Sequence, residues 1–235
     1  MESKINRKVE ILTISGLKSS MIILFTIVCI TTFAMPNLSG EKDEPMPTAN
    51  LTNPIFINFG MDTSATEWNH LTNYTKLTTL HNLIDREGNT TNISLVYVEK
   101  FNTGRHILGA KATTTDFDMP ESVSTQELHG NSEGTGKAVL RFEGLDSEKK
   151  YDICFFGSRM GTGVKDNRET KYIVSGQNEV IALLNVSNNT SKTSCANGVQ
   201  PDANGKITIT IMAGENNNHP KGYYGVSAMR LSFSK

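Results

Sequence analysis

Residues Lys137 to Gly176, KAVLRFEGLDSEKKYDICFFGSRMGTGVKDNRETKYIVSG, decide the fold. They read as strand, turn, strand, loop, strand. In KAVLRFE, Ala138, Leu140 and Phe142 alternate with Lys137, Val139, Arg141 and Glu143, the period-two pattern of a sheet with one face on a core. In YDICFF, Tyr151, Ile153 and Phe155 form one row while Asp152, Cys154 and Phe156 form the other, so both faces are partly apolar. Strands of this kind need a second layer to cover them, and a two-sheet β-domain follows.

The flanking sequence extends the pattern. Pro54 to Gly60 (PIFINFG) and Ile93 to Glu99 (ISLVYVE) read as strands before the central unit. After it, Glu179 to Val186 (EVIALLNV) is largely apolar and reads as a strand covered on both faces. Lys206 to Met212, with Ile207, Ile209 and Ile211 alternating with Thr208 and Thr210, is the cleanest half-buried strand. Gly222 to Phe233 closes the domain. Between Ser64 and Asp85, apolar residues recur every three positions, from Trp68 to Leu83, and one or two helical turns within a long loop are expected. Phe117 to Gly130 contains a proline and reads as a cap on one end of the sandwich. About nine or ten strands result by this reading. No strand-helix-strand rhythm appears, so the expected class is all-β with antiparallel sheets.

The chain has 235 residues, room for one sandwich of generous size, and a formal charge of −1. Such a balance creates no long-range field for nucleic acid or an anionic membrane surface. Lysines and arginines are scattered singly rather than gathered with aromatics, so nucleic acid is not an expected partner.

The N-terminus has a different composition. Lys4, Arg7, Lys8 and Lys18 precede the uncharged run Met21 to Ala34, MIILFTIVCITTFA, with Thr32 and Ala34 placed for cleavage. That is the pattern of a secretory signal peptide over residues 1–34, or else of an uncleaved N-terminal anchor. Its 14 residues fall short of the roughly 20 that a spanning helix needs. Residues 35–53 are polar and carry prolines, as a flexible linker does, and residues 54–235 form the β-sandwich domain. The chain is therefore expected to be exported, whether periplasmic, at the cell surface or secreted. Any membrane contact would run through the N-terminal segment.

Four groups of residues invite a chemical reading. Gly130-Asn131-Ser132-Glu133-Gly134 matches G-x-S-x-G, but it runs from a polar loop into a strand and lacks the strand-to-helix elbow that exposes a nucleophile. His106, His129 and His219 could be invoked as a base, yet nothing in the sequence places one beside Ser132. The histidines and cysteines show no zinc spacing. Asp62, Asp85, Asp116 and Asp118 are hard oxygen ligands of the type calcium takes, against the plainer reading of solvated loop acids. A structural calcium ion is thus the one cofactor left open.

Cys154 and Cys195 are the cysteines outside the N-terminal segment. In an exported chain they can form a disulfide, or Cys154 can be a small buried hydrophobe in mid-strand. Trp68 and Asn69, Arg159 and Arg168, and Tyr223 and Tyr224 are the candidate ligand-binding residues. Aromatic faces stack on sugar rings, and fixed polar groups take the hydroxyls. The competing reading makes Trp68 a core anchor and Arg159 a tie between strand ends.

Taken in order, the segments FEGLDSEKKYDICFFGSR, RETKYIVSG, LLNVSNNTS, PDANGKITITI and GYYGVSAMRL resemble a recurring exported β-sandwich module of Bacteroidetes-type bacteria. The opening INFG, Trp68-Asn69, Leu83-Ile84-Asp85 and Gly88 fit the same pattern. That module is similar to galactose-binding-like jelly rolls and carbohydrate-binding modules, and it occurs alone or beside sugar-active enzymes and SGNH-type esterase domains. The resemblance spans roughly Ile55 to Phe233. It implies a jelly-roll sandwich and a carbohydrate-related role without catalysis, on a polysaccharide or other glycan. It carries over no sugar-contacting residue, and the GDS block of an SGNH esterase is missing. Leu145 to Tyr151 (LDSEKKY) is also similar to the tyrosine corner of fibronectin type III domains, with Ser147 where proline is usual. That likeness implies that the Tyr151 hydroxyl pins a strand-crossing turn. The alternatives to glycan binding are a structural or adhesion module with a protein partner, or a small esterase acting through Ser132 or Ser158.

Overall fold

A computed structural model describes residues 51–235. The stretch read as a signal peptide or anchor, and the stretch read as a linker up to residue 50, lie outside the described residues. Nearly all regular structure is β. The first sheet has the order β11 (Ser194–Val199), β8 (Tyr151–Phe156), β14 (Ala228–Phe233), β1 (Ile55–Asn58), β2 (Asn69–His70). The second has the order β10 (Glu179–Asn185), β9 (Glu169–Ser175), β12 (Ile207–Ala213), β7 (Lys137–Glu143), β4 (Ser94–Glu99), β3 (Thr79–Leu80). A small third sheet joins β13 (Tyr224–Val226), β6 (Glu127–Gly130) and β5 (Gly104–His106). Every pairing is antiparallel except β1 with β2.

The two large sheets face each other across one apolar core. The alternation in β7 buries Ala138, Leu140 and Phe142, and that in β12 buries Ile207, Ile209 and Ile211, so both strands present these rows to the same interior. From the first sheet come Ile55, Ile57, Tyr151, Ile153, Phe155, Met229 and Leu231. Phe155 of β8 and Tyr172 of β9 stack with centroids 4.0 Å apart, a direct aromatic contact between strands of the two layers. From β7 to β12 the chain changes sheet at every connection except the β9–β10 hairpin.

The second row of β8 has its own cover. Phe56, Cys154, Phe156 and Ala228 on the far side of the first sheet are packed with Trp68, Phe117 and Val123 from loops and from the single described helix, α1 (Glu121–Ser124). The first sheet is therefore buried on both faces, which is why YDICFF is apolar on both. Phe56 lies 4.9 Å from Trp68 and 5.8 Å from Phe117, ring centre to ring centre. Cys154 and Cys195, paired directly across β8 and β11, form a disulfide with S–S 2.05 Å.

The turn between β7 and β8 closes as a tyrosine corner does. The Tyr151 hydroxyl accepts the Asp146 amide N–H at 3.0 Å, while the Asp146 carboxylate accepts the Glu148 amide at 2.9 Å. Ser147 in the usual proline position does not prevent it.

Three sequence expectations are corrected. Residues 64–85 contain no described helix; they form turns and the short strands β2 and β3, with Trp68, Leu71 and Leu83 buried. A spacing of three there reflects loop packing, since threonine and asparagine disfavour the helix that would otherwise share it. β10 is not covered on both faces. It is an edge strand paired only with β9, burying Ala182 and Leu184 while Ile181 and Leu183 are each 47% exposed. The linker also ends earlier than expected. Leu51 is buried in the main core, and the Thr52 hydroxyl and Asn53 amide both donate to the Asp85 carboxylate at 3.2 Å. The segment expected to cap one end, residues 117–130, holds α1 and β6, and β6 supplies the site described next.

Candidate functional site

The small third sheet and three adjoining loops enclose a cleft of about 210 Å³. β5 contributes His106, and β6 contributes Glu127 and His129, two residues apart and so on one side of the strand. β13 and the residue before it contribute Tyr224 and Tyr223. Arg159 and Arg168 come from the β8–β9 connection, and Leu108 and Val186 complete the wall.

Backbone ties fix these loops. The Arg159 amide donates to the Val186 carbonyl at 2.8 Å, and the Asn188 amide donates to the Arg159 carbonyl at 2.9 Å, a parallel bridge that holds Arg159 beside β10's end. The Arg168 amide is taken by the Asn185 side-chain oxygen at 3.1 Å. Glu169 anchors the approach to Tyr223: its carboxylate accepts from the Asn216 backbone and side chain, and its carbonyl accepts from Asn217. Behind the cleft, the Tyr172 hydroxyl donates to the Gly225 carbonyl at 2.8 Å and Thr170 Oγ1 accepts the Gly225 amide at 3.1 Å, which seats β13 on β9. A Cβ at Gly225 would lie 2.2 Å from Glu127 Oε1, so a larger residue there would displace the Glu127 side chain.

Aromatic rings line the opening. His106 and His129 are 4.9 Å apart, His129 and Tyr223 5.8 Å edge to face, and Tyr223 and His219 4.4 Å, between ring centres. The Arg168 guanidinium lies 5.7 Å over the Tyr223 ring and pairs with the Asp166 carboxylate at 2.5 Å. His106 Nε2 pairs with Glu127 Oε2.

Three polar atoms of the cleft residues lack partners: Glu127 Oε1, His129 Nδ1 and Arg159 Nη1 are buried without a hydrogen bond among the described residues. Glu127 is only 2% exposed. The Tyr224 hydroxyl is unpaired too, but it lies against Gly130 on the core side of the small sheet. In folded proteins most buried polar groups are paired, so three such atoms among the residues of one cleft make it the candidate site. Electrostatics agree. Burial first, then the charges of His106, Arg159 and Arg168, push the His129 pKa down to about 4, so this imidazole is neutral at pH 7. Burial also pushes the Arg159 guanidinium down and the Tyr224 hydroxyl up.

The candidates read from sequence divide cleanly. Arg159, Arg168, Tyr223 and Tyr224 converge on the cleft. Trp68 and Asn69 do not, and the expectation that they meet a ligand is corrected. Trp68 is 3% exposed and spent on the outer face of the first sheet. The Asn69 side chain donates to the Phe56 and Ile84 carbonyls and accepts the Ile84 amide, tying β1 to the 84–90 turn. The two serines considered for an esterase are held by backbone groups. Ser158 is fully buried, donating to the Asn189 carbonyl and accepting the Ala110 amide. Ser132 sits in a turn held by Asn102, and its amide donates to the Lys221 carbonyl.

The aspartates considered for calcium lie apart in their interactions. Asp116 pairs with Arg230, Asp118 with Arg86, Asp85 gathers Thr52, Asn53 and Asn89, and Asp62 caps Ser64. Among the described residues no group of three or more histidine, cysteine and acidic side chains is arranged for a metal ion.

Glu127 is the site residue that sequence reasoning missed. Its signal was E-x-H within ELHG, two polar side chains at strand spacing on one face, hidden because a four-residue strand leaves too short a pattern.

No protein-family model and no curated protein sequence matches the chain. Among solved structures, it is similar to the Clostridium thermocellum N-terminal endo-1,4-beta-D-xylanase 10B, CBM22-1-GH10 modules, complexed with xylohexaose. The likeness has 16% identity and a TM-score of 0.29, and it covers 77% of this chain. The chain spans 26% of that protein's length, and a superposition this loose decides nothing about ligand or chemistry.

Proposed function

We propose that this chain is an exported, non-catalytic carbohydrate-binding β-sandwich whose ligand, a polysaccharide or other glycan, enters the cleft between β5, β6, β13 and the β8–β9 connection. One observation carries this reading: three buried polar atoms without partners, on Glu127, His129 and Arg159, belong to the residues of a cleft rimmed by aromatic rings. A sugar matches both features at once, since its hydroxyls can donate or accept at fixed points while its apolar ring face lies against Tyr223. Export rests on the N-terminal signal pattern, and the module resemblance supports the same role. The cleft wall contains no serine, threonine or cysteine to serve as a nucleophile.

The test is retention of the full-length chain by a panel of plant and host polysaccharides in affinity gels, with reducing ends counted in parallel. The expected result is retention by one polysaccharide family with no new reducing ends. Tyr223→Ala should weaken retention about tenfold, which corresponds to about 1.4 kcal/mol. Release of reducing ends that His106→Ala abolishes would replace this reading with a catalytic one.

A protein partner is a second reading, favoured by Ile181 and Leu183 on the outward face of β10. Loss of a cell-surface protein contact on changing both to threonine, with glycan retention intact, would support it.

A further inference from the structure

Of the cleft's charged groups, one is left without a counter-ion. Glu127 gives one oxygen to His106, and its other oxygen lies against the Gly225 α-carbon. Arg168 is neutralised by Asp166. Arg159 has no carboxylate within ion-pair distance among the described residues, and its buried Nη1 has no hydrogen-bond acceptor at all. The Glu127 charge reaches Arg159 and favours its protonated form, but burial outweighs it. A guanidinium does not deprotonate in response; it keeps its charge and needs an acceptor. Arg159 is half-buried, and its Nη1 is shielded from solvent without an acceptor, a cost that an arriving anion relieves.

Building on the glycan reading above, we propose that the ligand carries an anionic substituent, a carboxylate or a sulfate, that docks on the Arg159 guanidinium. A neutral hydroxyl would satisfy Nη1 but leave the charge uncompensated. An oxyanion does both, and the planar fork of an arginine can hold two of its oxygens together. The rest of the cleft sets limits on that ligand. Neutral His129, whose Nδ1 has no partner, can take an uncharged hydroxyl of the same sugar. Glu127 stands against a second negative group, and Arg168 is already matched. The fit is therefore one anionic group on each bound unit, as in a uronic acid or a singly sulfated sugar, in a cleft larger than a lone inorganic anion.

The experiment is calorimetric titration of the full-length chain with three probe sets: oligogalacturonate and glucuronate-substituted xylo-oligosaccharides, their uncharged galactose and xylose counterparts, and κ-carrageenan oligosaccharides, which carry sulfate and no carboxylate. The expected result is that an acidic probe binds at least about tenfold more tightly than its neutral counterpart, with affinity falling as salt is raised. Binding by the uronates alone assigns a carboxylate, and binding by the sulfated probe alone assigns a sulfate. Arg159→Gln should erase the preference for charge and leave any weak neutral binding in place. Arg159→Lys, which keeps the charge and loses the fork, should retain part of it. These two variants are compared only after their melting transitions show a folded domain. Equal binding of acidic and neutral probes, or a preference that both variants retain, overturns the inference while the glycan reading stands. No binding by any probe overturns both.

Discussion

The interior between the two large sheets and the cleft on the small one are built from opposite materials. The interior is a continuous apolar cluster from Leu51 to Leu231 in which strand alternation turns rows of aliphatic and aromatic residues inward. Three of the tyrosines buried there have bonded hydroxyls, Tyr97 with the Phe101 amide, Tyr151 with the Asp146 amide and Tyr172 with the Gly225 carbonyl, while the Tyr224 hydroxyl has no partner among the described residues. The cleft does the reverse. It collects carboxylate, imidazole and guanidinium groups and leaves a buried atom of each unpaired. Buried polar groups without partners cost stability, and a cleft that holds three of them is built differently from the apolar interior between the large sheets.

That contrast can be broken by experiment. The largest effect is expected at Phe142, fully buried in β7 between Leu95 of β4 and Ile207 of β12. Phe142→Ala should lower unfolding stability by about 3–5 kcal/mol in chemical denaturation, from lost burial and the cavity left behind. Ligand affinity of the folded protein should stay unchanged. An affinity that falls in step with stability would mean that core and cleft are not separable.

Removing the Cys154–Cys195 disulfide comes next. Its two cysteines are 41 residues apart in sequence, and replacing both with serine should cost about 2–4 kcal/mol, read as a shift in the denaturant midpoint. A shift of that size with an unaltered titration curve for glycan would sharpen the same division, since the bridge joins β11 to β8 within the first sheet.

The smallest effect belongs to the cleft itself. His129 has a folded-state pKa of about 4 against an ordinary value of 6.5, so the unfolded chain takes up a proton in that interval that the folded chain refuses. Stability from this group is complete above about pH 6.5 and is lost as pH falls through 4, on the order of 1–2 kcal/mol once solvent at the cleft mouth is allowed for. His129→Gln should flatten that part of the pH–stability curve. His106, Glu127, Arg159, Arg168 and Tyr223 surround the ring, and a curve of undiminished slope in the variant would assign the pH dependence to them.

The strands of the interior were readable residue by residue. KAVLRFE, YDICFF and KITITIM declare their inward rows because side-chain direction along a strand alternates whatever the strand pairs with. The tyrosine corner at Tyr151 was readable for a similar reason: its partner is five residues away. Where a reading depended on the neighbour it failed. EVIALLN has the composition of a covered strand, and its place at the edge of the second sheet, paired with β9 alone, exposes half of it. Trp68 sits among polar residues and looks exposed, yet Phe56 and Phe117 wait for it on the first sheet.

The sequence by itself determined the fold class and the inward-facing rows. Local periodicity and residue type suffice for these, because backbone geometry converts them directly into faces. Only the tertiary structure decided that Arg159 and Arg168, Tyr223 and Tyr224, and the unremarked Glu127 share one cleft with His106 and His129. Their strands are separated by up to about half the chain and brought together by pairings such as Gly225 with His129 and His106 with Glu127. Which pairings form is settled by the burial of the whole core, a property spread over every strand and written in no single stretch.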